Sequence, residues 1–236
     1  MRVLAVGCHP DDLEIACGGT IAQYAKRGDT VFMCHIANGN MGHVEIMPDE
    51  LAKIRTQECI DAGKVLGAEE VFNIDVGDLY VNSYNEDTAL KVCEVVRYCR
   101  PDIIITHDCN DYMRDHVETG KTVFNASFST SILHYVTKSA PFAGNDCPIY
   151  YMDNLGCVNF TPTEYVDISD TIETKIEALK CHHSQIDWMA EHDHIDFCDM
   201  VRTCSKLRGI QCGVQYAEGF RPCLTWPRMA TKRLLP

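Results

Sequence analysis

"CHPDDLEIACGGT", residues 8–20, sets a histidine, two adjacent aspartates and a glycine pair directly after the apolar run Val3-Leu4-Ala5-Val6. An apolar run that stops at a polar turn reads as a buried strand whose carboxyl end carries the chemistry. The Gly-Gly-Thr stretch raises a phosphate loop, in which backbone N–H groups gather around an anion, often with a lysine. This turn instead carries Asp11, Asp12 and Glu14 and no base. Such charges repel a phosphate and attract a cation.

Apolar runs and helix-like stretches alternate through the first two thirds of the chain. Strands are expected over residues 2–8, 30–37, 70–74, 103–105 and 149–152, and helices over about 19–26, 48–66, 88–99, 116–134 and 170–183. Ile103-Ile104-Ile105 is apolar throughout, as suits a central parallel strand buried on both faces. This βαβα rhythm predicts an α/β, Rossmann-like three-layer α/β/α fold with a mostly parallel sheet, in one domain over residues 1–236. Ligands in such folds bind at the carboxyl ends of the strands. His9-Pro10-Asp11-Asp12 and Thr106-His107-Asp108 both stand at such ends, so two clusters about a hundred residues apart can share one rim.

The formal net charge of −13 argues against nucleic-acid partners and against anionic lipid. No apolar stretch approaches the 18 residues or so that a membrane span needs, and charged Asp11 and Asp12 interrupt what would be a leader's apolar core. A cytoplasmic protein is expected. None of the fourteen cysteines forms a C-x-x-C pair, and several lie in apolar segments, so reduced and mostly buried thiols are expected.

The second cluster, "HDCNDYMRDHVETG" (107–120), adds His107, Asp108, Asp111, Asp115 and His116. Two histidines and one aspartate meet the needs of a catalytic zinc, which keeps one position open for water. Zinc lowers the pKa of its water toward about 7 and polarises a carbonyl. A neighbouring carboxylate can then take the water's proton and deliver it to a leaving amine. That chemistry hydrolyses an amide.

"VGCHPDDLEIACGGTIA" together with "NDYMRDH" resembles the LmbE-like, or PIG-L-type, zinc-dependent N-deacetylases, which mostly act on N-acetylglucosamine-containing molecules. "KIRTQE" (53–58), "KIEALKCHHSQ" (175–185) and "YAEGFR" (216–221) extend the resemblance over almost the full chain. It implies His9, Asp12 and His116 as ligands of one Zn2+, with Fe2+ an alternative, and Asp11 as general base. It further implies Arg55 and His182 as substrate contacts and Asp115 as a partner of a metal-binding histidine. The small-molecule substrate implied is an N-acetylated amino sugar, and a homo-oligomer is expected. Many members carry His-Pro-Asp-His where this chain has Met113-Arg114-Asp115-His116. Methionine cannot donate the hydrogen bond of that first histidine. Either zinc then works largely alone, or Tyr112, His107 or His182 donates to the oxyanion, or the reaction differs. The resemblance also includes a hydratase branch acting on unsaturated oxo-carboxylic acids, for which Arg55 and Arg114 offer cationic contacts.

Simpler roles stand beside these. Asp11 and Asp12 are candidate helix caps, Arg55 a candidate surface partner of Glu58, and His107 and His116 candidate packing histidines. Gly18-Gly19 suits a close approach of helix and sheet. "EHDHID" (191–196) is expected to be an acidic loop or lid, because rings at i and i+2 diverge on a helix. Trp188 and Trp226 are expected in the core or an interface.

Overall fold

Val3 to Val6 form the middle of β1 (Arg2–Gly7) and are wholly buried, which is possible only with packed layers on both faces of the strand. Val3 and Ala5 point into one core and Leu4 and Val6 into the other. The computed structural model describes residues 1–138 and 146–236. β2 (Thr30–Ala37) and β4 (Ile103–His107) flank β1 in parallel register, and β3 (Glu70–Val76) lies outside β2. β5 (Ile149–Met152) continues the parallel set beside β4. β7 (Ala217–Pro222) runs antiparallel to both β5 and β6 (Glu164–Asp167), giving the order β3-β2-β1-β4-β5-β7-β6. This is the expected three-layer fold with a mostly parallel sheet.

One core gathers side chains of α1 (Asp12–Lys26), α2 (Pro48–Leu66), α5 (Ile172–Leu179) and α7 (Phe197–Cys212). The other gathers α3 (Glu86–Cys99) and α4 (Arg114–Ser129). All fourteen cysteines are free and most are buried. No helix among the described residues is long and apolar enough to cross a membrane.

Three helices differ from expectation, each for a physical reason. α1 begins at Asp12 rather than Gly19, with Asp12 and Glu14 in its first turn, where carboxylates favour the helix dipole. The glycines inside it serve packing: a Cβ on Gly19 would stand 2.8 Å from Cβ of Ile168. α4 stops at Ser129 rather than near His134, because the buried Arg97 guanidinium collects the carbonyls of Ser129, Thr130 and Ile132 at 3.2–3.4 Å. The helix expected over 170–183 ends at Leu179, and a separate short helix, α6 (His183–Trp188), follows with His182 buried between the two.

Glu218 of β7 ties the layers together. Its carboxylate accepts from the backbone N–H groups of Gly19 (2.9 Å) and Thr20 (2.8 Å) and from Lys175 Nζ of α5 (2.6 Å), all of them buried.

Candidate metal centre

The chain leaves β1 through Cys8-His9-Pro10 and enters α1 at Asp12, so the sharp turn falls on Asp11, which adopts φ 100°. A left-handed backbone on a non-glycine residue costs on the order of 1–3 kcal/mol and persists where its surroundings impose it. It sends the two aspartates in different directions. Asp12 Oδ2 accepts the backbone N–H of His9 at 2.7 Å, while Asp11 Oδ2 accepts from Arg55 Nη2 at 2.9 Å. Asp11 makes no side-chain cap to α1, so the capping role falls away.

Three imidazoles surround Asp12. His107 Nε2 lies 3.2 Å from Asp12 Oδ2, His116 Nε2 3.3 Å and His9 Nδ1 3.4 Å. Tetrahedral zinc with bonds of about 2.0–2.1 Å spaces its nitrogen and oxygen donors by about 3.3 Å. The donor set therefore fits such an ion. His116 Nε2 is buried and has no hydrogen-bond partner, as a nitrogen reserved for a metal would be. Asp12, His107 and His116 bring one donor atom each within 4.8 Å of one another, and so do Cys8, His9 and Asp12. The stacked rings of His107 and His116 are 4.0 Å apart by centroid, and those of His9 and His116 5.4 Å.

Electrostatics divide the histidines. Burial and the neighbouring His116 push His107 down to about 4, so it is neutral. Its Nε2 accepts the backbone N–H of Cys8 at 3.0 Å, which already engages that lone pair. Burial works against the charged form of His116, yet Asp12 and Asp111 raise it to about 10. Asp111 Oδ2 lies 3.2 Å from His116 Nδ1, the carboxylate–histidine pairing that orients a metal-binding ring. Asp115, expected beside a metal histidine, lies 3.4 Å from His9 Nε2 and accepts the backbone N–H of Leu79 at 2.6 Å.

The other expected residues are placed as follows. Arg55 is buried against Asp11, Pro10 O and Gly39 O, well away from a surface pairing with Glu58, which instead binds Ser184. His182 is fully buried, 3.4 Å from Glu14 Oε2. Tyr112 is exposed and its hydroxyl donates to Leu155 O at 3.2 Å. Met113 is the residue just before α4 and is 38% exposed. In "EHDHID", His192 pairs with adjacent Asp193, and the described residues hold no metal-type cluster there. Trp188 stacks on His192, whereas Trp226 is 80% exposed and lies outside the core. Asp111 and Glu14 carry roles that sequence reasoning did not assign them.

Residues 4–127 match the model of the PIG-L family, described as GlcNAc-PI de-N-acetylase, over more than half of the 236 residues. The chain belongs to the PIG-L family. Among relatives in this family, the diacetylchitobiose deacetylase of Thermococcus kodakarensis is 28% identical over 232 residues, covering 93% of this chain and 82% of that protein. The N,N'-diacetylchitobiose deacetylase of Pyrococcus horikoshii, solved with an inhibitor, superposes with a TM-score of 0.81 at 25% identity, over 94% of this chain and 83% of that one. The 4-carboxy-2-hydroxymuconate hydratase of Pseudomonas putida shares the fold at a TM-score of 0.81 and 22% identity, over 99% and 100% of the two chains.

Proposed function

We propose that this PIG-L family protein is a metal-dependent hydrolase that removes the acetyl group from an N-acetylated amino sugar or its conjugate. The observation that carries this reading is the buried Asp11 carboxylate. It sits beside the metal-type cluster, yet its partner is Arg55 rather than any histidine. His9, Asp12 and His116 would hold the ion, while His107 is occupied by the Cys8 N–H. A divalent metal such as zinc, or iron(II), supplies Lewis acidity at this place, polarising the acetamide carbonyl and activating water.

Asp11 accepts the proton of the attacking water and returns it to the amine as the C–N bond breaks. In the metal-free protein, burial raises the Asp11 carboxyl to about 6, with Arg55 and His182 pulling it back. Arg55 holds that carboxylate in one orientation through three acceptors. Asp111 orients His116.

A small sugar as substrate, a cytoplasmic location and a homo-oligomer belong to the same reading. The net charge of −13 supports partners other than nucleic acid, and exposed Leu224, Trp226 and Met229 support self-association. The test is acetate release from a panel of N-acetyl sugars that includes diacetylchitobiose, with Asp11→Asn as control. That variant is expected to keep its metal and lose about 10²–10⁴-fold in turnover. Acetate release by neither protein on any sugar would sink the reading.

One observation favours a second reading, water addition to an unsaturated oxo-carboxylic acid. Met113 places a side chain without a donor where an oxyanion contact is expected. Turnover of such an acid without acetate release from any N-acetyl sugar would establish it.

A further inference from the structure

A cavity of about 480 Å³ adjoins the buried Asp11–Arg55 pair. Three segments form the wall between them. A Cβ on Gly42 would stand 2.9 Å from Arg55 Nη1, and the next residue, His43, lines the cavity. Gln185 Nε2 donates to Gly42 O at 3.1 Å, and the preceding residue, Ser184, lines the cavity. On α2, Glu58 lies one turn beyond Arg55 and also lines it. The cavity therefore begins about one helical turn, roughly 5 Å, from Arg55.

Its walls carry the carboxylates of Glu45, Glu58, Asp187 and Glu191, and no lysine or arginine among the described residues. Glu58 is engaged by Ser184. Among the described residues, Glu45, Asp187 and Glu191 have no cationic partner. Trp188 adds an aromatic surface, with the His192 ring stacked on it at 5.1 Å by centroid. Among the described residues, no three of the cavity's carboxylates and imidazoles bring donor atoms close enough to share one ion. A bare metal cation thus has no seat here. An organic cation meets both features, with carboxylates for its charge and aromatic rings for its body.

We propose that this cavity is a subsite for a protonated amine carried by the substrate, an N-acetyl amino sugar joined to a second unit that bears a free amine. The inference rests on the reading of the adjoining site as a deacetylase. Removing an acetyl group from an amino sugar leaves such an amine, so a partly deacetylated oligosaccharide presents ammonium and acetamide side by side. The cavity takes the ammonium unit while the neighbouring acetamide reaches Asp11. The same carboxylates repel a unit that carries a phosphate or carboxylate.

The test has two readouts, both on the full chain. The sequence has two tryptophans, so in Trp226→Phe the tryptophan emission comes from Trp188 alone. At neutral pH, glucosamine is expected to shift that emission saturably. It is expected to bind at least about tenfold more tightly than glucose, the same ring without the charge. Adding Asp187→Asn and Glu191→Gln, two exposed positions, is expected to abolish the preference. The second readout is acetate release from N-acetylglucosamine alone and from N-acetylglucosamine linked to glucosamine. The Asp187→Asn, Glu191→Gln protein is expected to raise KM for the linked substrate at least about tenfold more than for the unlinked one. Equal binding of glucosamine and glucose, or KM values that rise alike, overturns the subsite. Selective glucosamine binding with acetate released from no sugar upholds the ammonium site and overturns the deacetylase reading, which separates the two failures.

Discussion

Arg55 Nη2 lies 2.9 Å from Asp11 Oδ2, and both side chains are buried. Burial raises the Asp11 carboxyl to about 6, and Arg55 is foremost among the groups that oppose the rise. Asp11 works as a base only when ionised, so activity rises with pH through its titration. Removing the guanidinium in Arg55→Met disfavours the carboxylate. The acidic limb of kcat/KM is then expected to move up by about one to three pH units, the usual effect of a close opposite charge. An unmoved limb in the variant would take Asp11 out of the role of base.

In the metal-free protein, Asp12 and Asp111 keep His116 protonated up to about pH 10, against the opposing effect of its burial. A metal binds only the neutral imidazole. Metal binding at neutral pH is therefore expected to release at least one proton, and apparent affinity to rise with pH across the neutral range. Calorimetry in two buffers of different ionisation enthalpy counts that proton. His116→Ala is expected to lose metal affinity at least about tenfold, because a site with three protein ligands has no spare donor. Wild-type metal content in that variant would remove His116 from the centre.

The buried pair Lys175–Glu218 makes an asymmetric prediction. In Lys175→Met, Glu218 keeps its two backbone donors, Gly19 and Thr20. In Glu218→Leu, Lys175 is left as a buried ammonium without the carboxylate it binds at 2.6 Å. Breaking a buried pair costs about 3–5 kcal/mol, so Glu218→Leu is expected at or above the top of that range and Lys175→Met at or below its bottom. Chemical denaturation of the two variants measures the difference. The opposite order would show that the ammonium is satisfied elsewhere.

Met113 separates the two reactions. Under acetamide hydrolysis, Met113→His restores a donor near the developing oxyanion, and acetate release is expected to hold or rise. Lost oxyanion donors cost on the order of 10²–10³ in kcat, which bounds the gain. Under water addition, the polar ring intrudes on the wall of the proper substrate's site and native turnover falls. Parallel assays of the two activities on one preparation decide between them.

The parallel part of the fold was legible because its signals are local. Val3–Val6 and Ile103–Ile105 are apolar throughout and end in polar turns, and those turns supplied His9, Asp11, Asp12 and His107 to one rim. The final third was not legible in the same way. β6 has only four residues, β7 contains Gly219 and Glu218, and the latter's burial depends on Lys175 and two amides of α1. No periodicity reports such a tertiary bond. Likewise, the sequence shows Arg55 as a cation on a helix but not Asp11, the carboxylate it meets; its contact with substrate is implied by the resemblance alone. His182 turns inward to Glu14 between α5 and α6, a tertiary contact that its own stretch of sequence does not report.

Glu218 and the amide of Thr20 are 198 residues apart in the chain. α1 carries Asp12 at its first position, so the helix that bears part of the candidate metal centre is anchored by a strand far downstream of it in the chain. Contacts of such separation are closed late, after the entropy of the intervening loop has been overcome. During synthesis, the donors of residues 8–12 leave the ribosome long before their scaffold exists. A metal ion at this centre is therefore expected to be acquired only once β7 has docked on α1, rather than by residues 8–12 alone.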